Sequence, residues 1–239
     1  MDRSVTRTAR RASLHLNRVG GFGVAKALAH MAYDRRTLAR TPGLMFWKLL
    51  GTGHGRSFSW RDADPTTWGL FAVWESPEAL VGFRQQSPYV HTWSGLAVER
   101  WEAELQPVRC KGTWSRRQPF GDLTELPDGY PASRLAVLTR ARVRPSQWRA
   151  FARAVPPVAL AVNRTAGLQF AVGIGEAPVG LQATFSLWDS TAAMESFAYG
   201  DHAHREVIRR TVTDSWYAEE LFARFHVVST SGTVNGRTL

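Results

Sequence analysis

His202 and His204 stand two residues apart in "GDHAHREVIRR", residues 200–210, beside Asp201 in a segment otherwise rich in Arg. Neutral imidazole is the commonest protein ligand for a transition metal, so the pair could be a chelate, one ligand with a bystander, or two solvated side chains. Helical geometry removes the first option. Each helical residue turns about 100°, so side chains two apart diverge by roughly 200° and cannot share an ion. From His204 one helical face runs forward through Ile208, Val212 and Trp216 and back past Gly200 to Phe197, whereas His202 shares its side with Arg205 and Arg209. His202 is read as solvated, and His204 as either a core imidazole with one hydrogen bond or a metal ligand.

Local features favour ligation. Gly200 thins the helix surface where a flat ligand could approach. Asp201 is a helix cap that puts His204 in the first turn, where the dipole opposes protonation. A lone His in an apolar stripe, with no second protein ligand at helical spacing, suits haem b iron better than zinc or non-haem iron, which want three or four protein ligands. Phe170, Phe185, Trp188, Phe197 and Ile208 are the candidate cofactor walls, although each would serve equally in a plain core. Phe185 and Trp188 are three apart on a strand and face opposite ways, so at most one of them touches the cofactor. For a polar group over the open face of the cofactor the candidates are Lys48, His54 and Arg142, each of which also suits a surface ion pair. Glu176 in "GIGE" reads as a turn residue.

These residues are positioned by a duplication. "RTPGLMFWKLLGTG" (40–53) matches "RTAGLQFAVGIGE" (164–176), and at one further offset Phe71 pairs with Phe185, Trp74 with Trp188 and Phe83 with Phe197. The match extends from "ERWEAEL" at Trp101 to "DSWYAEEL" at Trp216. Without a gap it puts Val90, next to His91, at the place of His204, so that only the second copy holds a ligand-capable side chain there. In each copy alternating strands and periodic helices follow the order β-α-β-β-α-β. In the second copy the Pro156–Pro157 pair is expected to end or kink the first helix, and a long helical region is expected after Ser190. The expected architecture is α+β, with two ferredoxin-like units burying their bare sheet faces as an intramolecular dimeric α+β barrel. The expected limits are 1–118 for the first unit, 119–133 for a Pro- and Gly-rich linker, 134–232 for the unit with the haem site, and 233–239 for a tail.

The formal charge is +10, carried almost wholly by Arg spread along the chain, and no nucleic-acid motif accompanies it. The reading is a solvated basic surface able to meet an acidic redox partner or anionic lipid, not nucleic acid. One cysteine, Cys110, excludes an internal disulfide, and a reducing, cytoplasmic setting follows, with membrane association and homo-oligomerisation left open. The basic start "MDRSVTRTARRAS" has no apolar run behind it, so no secretory signal is expected, nor does any run approach the roughly 18 apolar residues that span a bilayer.

The segments "ARTPGLMFWKLLGTG", "GIGEAPVGLQATFSLW", "HREVIR" and "WYAEELFARF" closely resemble the spheroidene monooxygenase family, the acyclic carotenoid 2-ketolases, and the likeness runs from about residue 20 to residue 228. The resemblance implies a haem-dependent monooxygenase of the dimeric α+β barrel superfamily that uses dioxygen and electrons from ferredoxin. It implies long apolar polyene substrates oxidised to a ketone, and it puts His204 on the family's proximal ligand. Alternatives within the fold are a haem lyase of the aldoxime dehydratase type acting on a nitrogen-containing substrate, a non-catalytic haem-binding barrel, and a cofactor-free barrel monooxygenase.

Overall fold

The computed structural model describes residues 10–53, 62–121, 123, 134–163, 165–176, 181–200, 213 and 215–239, with backbone alone for 155–161, 163, 181, 199 and 200. The first half runs β1 (Arg11–Val19), α1 (Val24–Leu38), β2 (Leu44–Gly53), β3 (Ala63–Trp74), α2 (Pro77–Gln86), α3 (Pro88–Leu96) and β4 (Ala97–Gly112). The second runs β5 (Leu135–Val143), α4 (Trp148–Asn163), β6 (Leu168–Gly175), β7 (Leu181–Trp188), α5 (Thr191–Gly200) and β8 (Tyr217–Gly232). The strands close one antiparallel barrel in the order β1-β3-β2-β6-β7-β5-β8-β4. Its interior is the main core, built from alternate strand residues such as Leu14, Phe71, Ala103, Leu138, Phe185 and Phe225, each at most 1% exposed. The helices lie on the outer face.

The two halves are related by a pseudo-twofold that the register makes explicit. Leu14 pairs with Phe71 and Ala103, and Leu138 pairs with Phe185 and Ala223. Two seams join the halves: a long one between β4 and β8, and a short one between β2 and β6 where Gly51, Thr52 and Gly53 face Gly175, Ile174 and Gly173. β4 and β8 each end on a glycine at positive φ, Gly112 (89°) and Gly232 (75°). The chain then turns back as a short hairpin, bridged Trp114 to Arg117 in one half and Val234 to Arg237 in the other.

Several expectations change. β4 and β8 begin at Ala97 and Tyr217, so "ERWEAEL" is strand, and "YAEEL" is strand where the helical region was expected to continue. The register pairs Trp101 with Leu221, since they face Leu16 and Arg140 at equivalent places. Trp216 instead precedes the strand, is fully buried with Val143 and Phe151, and follows Ser215 at φ 48°, which interrupts any helix running into it. Trp101 follows Phe83 by 18 positions, while Leu221 follows Phe197 by 24. The one-offset match therefore fails before β8, and His204 lies in the stretch where the halves differ in length. α4 continues through Pro156–Pro157, although each proline removes one helical hydrogen bond. Both its ends are tied down, Phe151 beside Trp216 and Val162 beside Leu168 and Trp188. Phe120, inside the expected linker, packs in the barrel core against Phe71 and Phe225, and Leu239 of the expected tail packs against the same core.

Candidate functional site

The outer face of the second half carries an apolar shelf. Trp188 closes β7, and Phe197 of α5 stacks on it at 5.7 Å between ring centres. Leu135, Met194, Val137, Val162 and Leu168 complete the patch. The Trp188 indole donates to Ser186 Oγ at 2.9 Å, which fixes the ring against the sheet. A second patch, Val143, Phe151 and Trp216, covers the other end of the same face. One residue from Leu168, Gln169 Oε1 is buried without a hydrogen-bond partner. In the first half the corresponding face is filled by a continuous aromatic run, Trp74 to Phe83 (4.6 Å), Phe83 to Tyr89 (5.8 Å) and Tyr89 to Trp93 (5.9 Å), the last two residues supplied by α3. The segment with His204 stands between α5 and β8 in chain order as α3 stands between α2 and β4. His204, His202, Ile208, Asp201 and His54 lie outside the described residues.

The four aromatic candidates do not form one wall. Trp188 and Phe197 belong to the shelf, whereas Phe170 and Phe185 point into the barrel, where they meet Trp101 at 5.5 and 6.2 Å. Phe185 and Trp188 do face opposite ways, as their spacing requires. Phe170 and Phe185 are thus separated from the shelf by the thickness of the sheet.

Lys48 also points into the barrel, at one end, and meets Glu176 of "GIGE". Its Nζ lies 2.7 Å from Glu176 Oε2 and donates to Ser115 Oγ at 2.6 Å. Glu176 Oε1 accepts from the Trp114 indole at 2.7 Å and from Arg140 at 3.1 Å. Arg140, whose side chain is 1% exposed, also meets Glu219 at 2.5 Å, and its guanidinium lies 5.8 Å from the Trp114 ring. Arg142 is half-exposed at the rim, 4.0 Å from Glu219. Burial, the largest single influence, pushes both carboxyls up. For Glu219 the Arg116 backbone N–H, Arg140 and Thr113 outweigh it and hold the group at about 2, and for Glu176 Lys48 and Trp114 hold it below the usual range. Both carboxylates are therefore ionised at neutral pH. The cluster is an internally compensated lock on the Trp114 hairpin, and Lys48 is committed to it rather than free to serve the shelf.

The pseudo-twofold shows how particular this lock is. The mates of Lys48, Glu176, Arg140 and Glu219 are Val172, Thr52, Leu16 and Glu99. At that opposite end a cavity of about 130 Å³ opens among Leu16, Thr52, Glu99, Phe170, Val172 and Val234. Glu99 still accepts from the Gly236 backbone at 2.7 Å, as Glu219 accepts from Arg116 at 2.6 Å. The alternation of "LTRAR" puts Arg140 and Arg142 on one face, and that was the available signal for Arg140. No signal in the sequence brings Glu176 to Lys48, 128 positions away.

No family model matches the sequence. The chain is 33% identical to the spheroidene monooxygenase of Rhodobacter capsulatus, over 95% of this chain and 93% of that protein. It is 35% identical to the spheroidene monooxygenase of Rubrivivax gelatinosus, over 90% of this chain and 82% of that one. The chain belongs to the spheroidene monooxygenase family. As a member it is an oxidoreductase of the monooxygenase class. Among solved structures an aldoxime dehydratase superposes with a TM-score of 0.59 at 13% identity, covering 92% of this chain and 81% of that one. That likeness is one of fold. Among the described residues no helix is long and apolar enough to cross a membrane.

Proposed function

We propose that the chain is a haem-dependent monooxygenase that oxidises a long, apolar, carotenoid-like substrate to a ketone. The observation that carries the reading is the end-to-end identity with two proteins named spheroidene monooxygenase, at 33% and 35%. The residues present suit haem. The outer face of the second half carries two separate buried apolar clusters, one around Trp188 and one around Trp216, and an imidazole at His204 follows α5 in chain order. An apolar wall with one neutral nitrogen donor is the protein complement a porphyrin needs, since the ring supplies its own four nitrogens. His204 would hold the iron, and bound haem would supply dioxygen activation with electrons from a ferredoxin-type donor.

The chain's own residues do the rest. Trp188, Phe197, Leu168 and Met194 pack as an apolar cluster that would back the site and exclude water from it. The buried Gln169 Oε1 supplies a hydrogen-bond acceptor beside Leu168. The balance is two hydroxylations of one carbon. Each consumes one dioxygen, two electrons and two protons, places one oxygen in the substrate and releases the other as water, and the geminal diol then loses water to the ketone. The test is turnover of spheroidene with reduced ferredoxin under ¹⁸O₂. A ketone that carries the label before exchange with solvent supports the reading. Absence of oxygen uptake with all components present, together with turnover of an aldoxime, would replace it with the lyase.

A further inference from the structure

The first turn and helix of the barrel present an unusual outer surface. The short 3₁₀ turn Gly21–Gly23 ahead of α1 holds Phe22 in full contact with solvent, at 105% relative exposure. Leu28 (61%) and Tyr33 (67%) follow on α1, and Val98 (73%) at the start of β4 lies against Gly20. Leu28 and Tyr33, five residues apart, stand about 140° apart on the two flanks of the exposed arc of α1, and Phe22 and Val98 lie at the start of that helix. Ala25, Ala29 and Ala32 fill the exposed helix surface between them, and Lys26, Arg35 and Arg36 are exposed beside them.

The charge on this surface has one sign. α1 contains a single acidic residue, Asp34, which is buried and occupied, accepting from the Trp93 indole at 2.8 Å and meeting His30 at 3.1 Å. α3, packed alongside, contains none. Glu99, next to Val98, is engaged by Arg18 and the Gly236 N–H. Ala27 and Leu38 point the other way and are buried under the helix. The helix has its inner face docked, and its exposed arc carries Leu28, Tyr33 and three alanines together with Lys26, Arg35 and, directly opposite Ala27, Arg36, a mixture of apolar and cationic side chains suited to an anionic interface.

We infer that the surface formed by Phe22, α1 and Val98 docks on an anionic lipid bilayer, with Phe22 inserted and Lys26, Arg35 and Arg36 at the headgroups. The net charge of +10 complements such a surface and opposes self-association through the same face. The inference does not depend on the reaction proposed above, although a bilayer is where a long apolar substrate dissolves.

The test is co-sedimentation of the full chain with sucrose-loaded vesicles of phosphatidylcholine containing 30 mol% phosphatidylglycerol. Each cation near such a surface contributes roughly five-fold to partitioning at low salt. Wild type should pellet with these vesicles, and far less with phosphatidylcholine alone or in 0.5 M salt. Phe22→Asp/Leu28→Asp should lose at least ten-fold in partitioning, and Lys26→Gln/Arg36→Gln likewise, with thermal midpoint and sedimentation coefficient unchanged because all four side chains are exposed. Wild type that stays in the supernatant, or variants that pellet as well as wild type, would overturn the inference. So would a wild-type dimer that Phe22→Asp/Leu28→Asp splits without any dependence on lipid, since the face would then belong to a second copy. Vesicle binding is read without turnover, so failure here leaves the proposed reaction standing.

Discussion

Removing one cation from the barrel lock should destabilise the fold, and removing its neighbours as well should cost less than the separate losses add up to. In Arg140→Leu, Glu219 loses the guanidinium that meets it at 2.5 Å, while Glu176 keeps Lys48 and the Trp114 indole. Stripping one partner from a buried pair costs about 3–5 kcal/mol. For a chain of this size that is a fall of roughly 10 °C in thermal midpoint. The triple variant Lys48→Val/Arg140→Leu/Glu176→Thr installs the residues that the pseudo-twofold already uses at Val172, Leu16 and Thr52, and leaves Glu219 with backbone and hydroxyl donors. It should lose less than its three single losses add up to, because Lys48→Val and Glu176→Thr each break the same 2.7 Å pair. Calorimetry and urea unfolding followed by tryptophan fluorescence measure both. The acid limb gives a second reading. Glu219 sits at about 2 in the fold against about 4.3 when unfolded, so its stabilisation is present above the unfolded value and drains away as pH falls toward 2. The stability gap between wild type and Arg140→Leu should narrow through that window. A triple variant that loses the sum of its three single losses, or a gap unchanged from pH 5 to pH 2, would refute the description of the cluster as one coupled unit.

Two further outcomes follow from the geometry. Trp188→Ala should cost about 3–5 kcal/mol and weaken haem uptake, whereas Phe185→Ala should cost a similar amount and leave haem titrations unchanged, because the rings lie on opposite faces of β7. Gly112→Ala and Gly232→Ala should each destabilise by more than about 1 kcal/mol in thermal melts, since both glycines are at positive φ and a Cβ would collide with the carbonyls of Glu220 and Arg100.

The barrel was legible because its information is periodic and local. Alternation marked β1, β2, β3, β5, β6 and β7, and the matched Phe71/Phe185 and Trp74/Trp188 pairs fixed which faces correspond. The closing strand of each half was read at "PVRCKGTW" and "FARFHVVST", and only its first part was hidden, for a physical reason. "AVERWEAEL" is rich in good helix formers, and its inward residues Trp101, Ala103 and Leu105 alternate only once the barrel supplies something to bury them against. The same confusion aligned Trp101 with Trp216, whose environments differ: one stands inside the barrel, the other under α4. The ionic lock was invisible because Lys48, Arg140, Glu176 and Glu219 come from four strands or strand ends far apart in sequence, and only the closed register brings them together. Lys48 and Arg142 were singled out by charge on a strand, which identified inward or rim positions without the partners that commit them.

One histidine, His204, is proposed to carry the cofactor, backed by the apolar cluster of the second half. Titration of the purified chain with haem, followed by the Soret band, tests it most directly. Wild type and His202→Ala should take up one haem per chain, with His204→Ala losing both the band position and the stoichiometry. A His204→Ala variant that keeps the same Soret band at the same stoichiometry would contradict it.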